Sequence, residues 1–312
     1  MAGRDVLLDY VLKANAIEPV QPASRAYLHN VLVIAPLKNG ADAGIYTCTT
    51  KGQVETYTDS VCYEMLDAGM SKIYVCAVAQ YEDAQALIDA SDLKYFTILT
   101  DSAFNTTPTA ISGFNGVAGW TTTDAGLAKS YQAIATANNT AFIDLPANNG
   151  INMYHAFGAL LSAAQWRNQQ YIAMPGAGVT SNLGTAESYF DDRLSFVLAS
   201  EEYGNRLAFF VNRGRAIVAP YIYEEFTLDL KSWALQYIST NMPDYTNIEA
   251  SKLQSWLLKK ANEKYIATGL VSAIRINITA DQDNFVMSGN IAIAEPKATW
   301  RINAQVQQGG LE

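Results

Sequence analysis

Histidine is nearly absent from this chain. His29 and His155 are the only two among 312 residues. A catalytic triad, a histidine-bound zinc or a histidine base would have to use one of them. His29 falls at the edge of a predicted strand and His155 within an apolar helix, where ordinary packing or an interface accounts for each. Charge is scarce too, at 16% of residues against roughly 25% in an average globular chain. The charge that remains is acidic, with a net of −9. A nucleic-acid binder would show a basic patch or stripe, and attraction to an anionic membrane needs the same sign, so neither partner is expected.

Cysteine is limited to Cys48, Cys62 and Cys76. An odd number at wide, equal spacing gives neither a disulfide framework nor a CxxC metal knuckle, and the three are expected to be reduced, buried thiols. No apolar run approaches the ~18 residues that span a bilayer. The opening MAGRDVLLDYVLKANAIEPV lacks the apolar stretch of a signal peptide. The chain is therefore expected to fold in a cytoplasm, where the sequons at Asn105, Asn138 and Asn277 carry no weight.

Cofactor motifs are missing as well. After Val31–Ala35 the chain reads PLKNGADAG, which is no dinucleotide fingerprint. Gly176 and Gly178 lack a third glycine at the required spacing. Neither GxxxxGK[ST] nor GxSxG occurs. Adjacent acids stand at Asp191–Asp192, Glu201–Glu202 and Glu224–Glu225, but neighbouring side chains diverge on a helix or a strand. Solvated or intersubunit charge is the better account of them. Glu224–Glu225 stands out because it follows an apolar stretch and precedes a helix. No cofactor, metal or catalytic residue is expected, and the chain reads as a non-enzyme.

What is present is tyrosine, 18 in all, with many neutral polar residues. Such a surface suits broad protein contacts, because charges are costly to desolvate at interface centres. Residues 1–26 read as a peripheral arm, equally a short helix or an extended segment, with Pro19 and Pro22 closing it. Residues 27–185 then alternate strand and helix. Strands are expected over Tyr27–Pro36, Lys72–Val78, Tyr95–Leu99, Ala141–Leu145 and Gln170–Met174. Helices are expected over Asp59–Ala68, Tyr81–Ala90, Asp124–Asn138 with Asp124 as N-cap, and Met153–Gln165. This order predicts an α/β fold, a mostly parallel sheet with flanking helices.

Residues 186–295 change character and form an α+β module. An apolar strand ending in APYI and an acidic turn precede a helix over Thr227–Thr240 and a proline turn at Met242–Tyr245. A second helix, Ile248–Thr268, places Leu253, Trp256, Leu257, Ala261 and Tyr265 on one face, and Gly269 ends it. Period-two alternation follows in Ile274, Ile276 and Ile278, then in Phe285–Ala294, predicting antiparallel strands. Beyond Pro296, residues 296–312 form a terminal arm with Trp300, Ile302, Ala304 and Val306 on one side.

The order Pro220-Tyr221-Ile222, Trp233, Pro243-Asp244-Tyr245-Thr246, Gly269-Leu270 and a strand pair through Pro296 resembles the C-terminal region of contractile phage tail sheath proteins. The resemblance covers about residues 205–312. It implies a structural subunit that stacks as hexameric rings around a tail tube, makes a helical stack with copies of itself, and contracts without nucleotide to drive the tube through the host envelope. It further implies contacts with the tube protein, baseplate and tail terminator, a place in the virion tail, and assembly in the host cytoplasm. Terminal arms would add strands to a neighbour's sheet. On that account Trp300, Ile302, Ala304 and Val306 anchor the C-terminal arm, although an edge strand of the chain's own sheet fits the same pattern. Lys252, Lys259, Lys260 and Lys264 make the Ile248–Thr268 helix basic within an acidic chain, and are either a contact for an acidic tube or a solvated face. At 312 residues this would be a compact sheath subunit. A soluble α/β enzyme with an unrecognised site, or another tail component such as a terminator, are the alternatives.

Overall fold

The computed structural model describes residues 22–104, 106–134, 138–144, 148–163, 172–174, 183–198, 206–209, 211–212, 215–241, 250–269, 271–280 and 285–293. Its centre is a sheet built from β1 (Val31–Pro36), β2 (Gly44–Cys48), β3 (Ile73–Val78), β4 (Thr97–Thr100), β5 (Val117–Thr122) and β6 (Asn138–Ile143). Among the described residues the sheet has six strands in the order β2-β3-β1-β4-β5-β6. All neighbours run parallel except β2, which lies antiparallel to β3. The fully buried runs VLVIA and IYVCAV are the signature of strands covered on both faces. Alternation divides β1 between those faces. Val31, Val33 and Ala35 join the large core, and Leu32 and Ile34 join a smaller one on the other side.

The parallel sheet expected from the alternating pattern is present, with differences in its strands. Tyr27–Pro36 divides into a 3-10 helix, Pro22–His29, and β1. β2 and β5 are additional. In β5, threonines and Gly119 interrupt the apolar run. An added Cβ at Gly119 would lie 2.6 Å from Leu99 Cδ2 and 3.0 Å from Phe157, so the helix above the strand requires the missing side chain. Of the strand expected over Gln170–Met174, residues 172–174 are described and contribute no strand to this sheet.

The helices of this part are α1 (Lys51–Tyr57), α2 (Glu64–Asp67), α3 (Ala84–Asp89), α4 (Ala125–Gln132), α5 (Ile151–Ser162) and α6 (Leu183–Asp191). Asp124 caps α4 as expected, accepting from the Leu127 N–H at 2.9 Å. Thr50 and Gln53 form a capping box on α1. The helix expected over Asp59–Ala68 shrinks to α2, because Ser60 turns inward to hydrogen-bond instead of continuing a helical turn.

Downstream, β7 (Phe196–Leu198) pairs antiparallel with β8 (Arg206–Phe209), and β9 (Val211–Asn212) with β10 (Arg215–Ala216). Helix α7 spans Ala219–Asn241. The sequence places a strand end and an acidic turn over its first residues, and both are corrected. Pro220 fits a first helical turn, and Ile222, Phe226, Leu230 and Ala234 recur every fourth residue and are buried. Glu224–Glu225 therefore lies within a helix. Helix α8 (Ala250–Ala261) widens into a π-helical turn, Asn262–Ile266, and stops at Gly269, whose φ is +74°. Leu253, Leu257, Ala261 and Tyr265 are buried along one face, as their spacing predicts. β11 (Val271–Ala280) and β12 (Phe285–Ile293) form an antiparallel hairpin. The proline turn at Met242–Tyr245 and the arm at 296–312 lie outside the described residues.

The large core runs without a break from β1 through α5 and α7 to α8 and β11. The Tyr221 side chain helps join α7 to the sheet. Tyr221 and Thr97 hydroxyls share a hydrogen bond of 2.6 Å, and the Tyr221 ring meets Phe96 edge-on. On α5, an added Cβ at Gly158 would stand 2.7 Å from Ala68 Cβ and 2.8 Å from Met65 Cα. Replacing Gly158 with Ala is expected to push α5 off α2 and cost about 1–3 kcal/mol. Urea unfolding measures this, and a neutral result would contradict the close helix contact.

Candidate functional site

In a parallel α/β sheet, ligands usually bind beyond the carboxyl ends of the strands where the strand order reverses. Here that point lies between β1 and β4, and Asp101 stands on it. The Asp101 N–H donates to the Ile34 carbonyl at 2.9 Å, and the side chain is 3% exposed. Its carboxylate accepts from the Ser60 hydroxyl, from the Tyr154 hydroxyl at 2.8 Å and from the Ala103 N–H at 2.8 Å. Tyr154 is fully buried. The crevice is thus filled by the protein's own polar side chains. A neighbouring cleft of about 210 Å³ includes Ser102, Trp120, Thr122, Asp144 and Gly150. Asp144 there accepts from Asn148 at 2.9 Å and from Asn152 at 2.6 Å.

The residues screened for chemistry do not converge. His29 Nδ1 lies 2.8 Å from the Leu161 carbonyl at the end of α5, and His155 is half-buried on α5. Asp192 pairs with Lys129 across the surface. Glu201–Glu202 and the Gly176–Gly178 loop lie outside the described residues. Among the described residues no group of three or more His, Cys, Asp or Glu side chains could hold a metal. Among the described residues no helix is long and apolar enough to cross a membrane. The three cysteines are buried free thiols.

The polar centre of the molecule lies instead on α7. Asp229 is 1% exposed. Its Oδ2 accepts from Lys264 Nζ and from the Tyr265 hydroxyl, both at 2.6 Å, and its Oδ1 meets the Arg25 guanidinium. Lys264 also reaches Glu225 at 2.6 Å. Five residues before Asp229, Glu224 accepts from the Tyr27 hydroxyl at 2.6 Å. The sequence marks Glu224–Glu225, but not Asp229 or Arg25, on which the cluster is built. Burial, and then the Asp229 charge, push the Tyr265 hydroxyl far above its ordinary range. Tyr27 is pushed up by burial and by Glu224.

This cluster separates the four lysines picked out from sequence. Lys264 is engaged inside the chain by Glu225 and Asp229. Lys252 and Lys259 are exposed. Lys259 is 4.0 Å from Glu263, and Lys260 lies over the Trp256 ring at 5.5 Å. Trp300, Ile302, Ala304 and Val306 lie outside the described residues. The hairpin β11–β12 forms a two-stranded sheet on its own among the described residues. Val271 and Ile276 face the core, while Ser272, Arg275 and Asn277 are exposed.

Among the described residues, a mostly parallel sheet is joined through one core to a helix pair and a hairpin. No family model and no curated protein matches the sequence. Solved structures do match the fold. A chain of the helical sheath of the anti-feeding prophage (AFP) in its contracted state superposes at a TM-score of 0.56 with 11% identity, over 95% of this chain and 99% of that one. A chain of the AFP baseplate in its contracted state gives a TM-score of 0.60 at 11% identity, over 94% and 97%. The chain therefore has the fold of these contractile-tail chains along nearly its whole length.

Burial makes stability depend on alkaline pH. Tyr81 and Tyr95 are raised from 10.0 to about 12, and Cys76 from 9.0 to about 12, each chiefly by desolvation. Unfolding releases these protons at lower pH than the native state does. Their stabilising effect is thus complete below pH ~9 and falls as pH rises from ~9 to ~12. Urea midpoints are expected to drop across that interval, with part of the phenolate absorbance at 295 nm appearing only on unfolding. A flat profile would count against burial of these groups.

Proposed function

We propose that this protein is a structural, non-enzymatic subunit of a contractile tail sheath. The observation that carries the reading is the match to the AFP sheath chain over 95% of this chain and 99% of that one. Copies assemble as stacked hexameric rings around a tail tube, and contraction of the stack drives the tube through the host envelope. The subunit sits in the tail of a virion assembled in the host cytoplasm, with baseplate and tail terminator at the two ends of the stack. It makes no direct contact with nucleic acid or membrane, in keeping with its net charge of −9.

Within that assembly, residues 1–26 serve as the N-terminal arm, 27–185 as the α/β body, 186–295 as the sheath module and 296–312 as the C-terminal arm. Trp300, Ile302, Ala304 and Val306 add a strand to a neighbour, for which the outer edges of β11 and β12 supply backbone groups. The tube contact falls to Lys252, Lys259 and Lys260. Lys264 is left out, because its charge is met by Glu225 and Asp229. A place in the baseplate is the second reading, favoured by the match to an AFP baseplate chain.

Negative-stain electron microscopy of the protein with its tube tests the assignment. Long hollow sleeves are expected from the full chain and none from a chain ending at residue 295. Sleeves that survive the truncation would keep the sheath and remove the arm's role. A single closed ring would favour a terminator or baseplate component, and a monomer would favour an enzyme. Lys259→Glu with Lys260→Glu is expected to weaken tube docking by about tenfold or more in co-sedimentation at low salt, with less effect at high salt. Unchanged docking would exclude this face.

A further inference from the structure

The N-terminal 3-10 helix, Pro22–His29, is held differently from the strand that follows it. β1 is fixed by backbone ladders on both sides, to β3 and β4. The helix is attached by side chains. Leu28 is buried in the core, His29 reaches the Leu161 carbonyl, Tyr27 bonds Glu224 and Arg25 pairs with Asp229. Leu28 and His29 sit beside β1 and anchor the base of the helix. Of the described side chains, Arg25 and Tyr27 hold the rest, and both reach α7.

The charge cluster on α7 contains bonds that do not involve Arg25. With Arg25 in place, two cations, Arg25 and Lys264, face two carboxylates, Asp229 and Glu225. Without it, Asp229 Oδ2 retains Lys264 and the Tyr265 hydroxyl, so the acid keeps a cation while Oδ1 gives up its Arg25 contact. Orphaning is what makes the loss of a buried ion-pair partner so costly. Arg25 is 33% exposed and regains water as soon as it leaves. Counting Glu224 as well, the closed form has one excess negative charge and the open form has two.

We propose that Arg25–Asp229, supported by Tyr27–Glu224, is a releasable latch that decides whether the N-terminal segment is held on its own α7 or freed. The latch stands on the contacts above. Its use, controlling when the segment becomes available to a neighbouring copy, rests on the sheath reading. The hinge is the Tyr27–Leu28 link, between the latched residues and the anchored base of the helix.

Limited trypsin digestion of the full chain reads the latch directly, because the bond after Arg25 can be cut only when its guanidinium leaves Asp229. Cleavage then tracks the open population. Asp229→Asn is expected to speed cleavage at Arg25–Ala26 by about tenfold, the effect of a ~1.4 kcal/mol easier opening. Cleavage at Lys38–Asn39, in the turn after β1, should stay constant. Lys264→Met leaves Arg25 paired and removes a competing cation from Asp229, so it should not speed the Arg25 cut. A rise as large as that in Asp229→Asn would reduce the latch to general stability and overturn it, as would no change in Asp229→Asn. If Asp229→Asn accelerates both cuts, Tyr27→Phe decides. A rise of a few-fold confined to Arg25 supports the latch, and no rise overturns it. In the sleeve assay Asp229→Asn should nucleate growth faster than wild type. Unchanged growth with faster cleavage would overturn the link to assembly, whereas a wild type that forms no sleeve on its tube would fail the sheath reading and leave the cleavage result standing.

Discussion

A carboxylate that is 1% exposed sets the terms for the C-terminal half of this protein. Asp229 sits mid-way along α7, and a buried charge is tolerated only when it is paired and hydrogen-bonded. Its three partners come from two places, Arg25 from the N-terminal helix and Lys264 and Tyr265 from the turn after α8. The π-helical widening at Asn262–Ile266 accompanies the delivery of two consecutive residues to one acid. The rings reinforce the same junction, with Tyr265 edge-on to both Phe226 and Trp233. Charge pairing alone adds little net stability over an apolar contact. What it adds here is geometry, since one acid ties three separate chain segments in a single arrangement.

The same economy of charge runs through the α/β part. Asp101 occupies the point where an α/β enzyme would admit its ligand, and Ser60, Tyr154 and a backbone N–H surround it. A polar group left unpaired there would cost about 1–3 kcal/mol. Satisfying it internally makes the crevice part of the core. The fold class does not dictate activity, and in this sheet the residues at the switch point are used to brace β1, β4 and α5 against one another.

The proposed sheath role would call for a rigid body with detachable ends. The body is provided by a core that crosses from the sheet into α7 and α8 without interruption, so that force on one part is felt by the other. The N-terminal helix, attached by side chains rather than by ladders, is the kind of element that can leave without unravelling the strand behind it. Hairpin β11–β12 supplies strand edges on the opposite part of the chain.

Local chemistry was enough to read much of this from sequence. The runs at Val31–Ala35 and Ile73–Val78, the Asp124 cap, the buried face of Leu253, Leu257, Ala261 and Tyr265, and the alternation of Ile274, Ile276 and Ile278 are all written in spacing or in a single side chain's bonding habit. Where the spacing was silent the reading failed. β5 is VAGWTT, and its Gly119 is explained only by the approach of Phe157 and Leu99. The start of α7 looked like a strand because APYI is apolar at every residue, and only the surrounding core shows which of those residues face it. The lysines looked alike until tertiary structure engaged Lys264 with Glu225 and Asp229 and left Lys259 in solvent. Sequence by itself determined the elements whose period is carried in neighbouring residues. The Arg25–Asp229 pair, the filled crevice at Asp101 and the division among the lysines were decided only in three dimensions, because each depends on which distant residues meet after the chain has closed around its core.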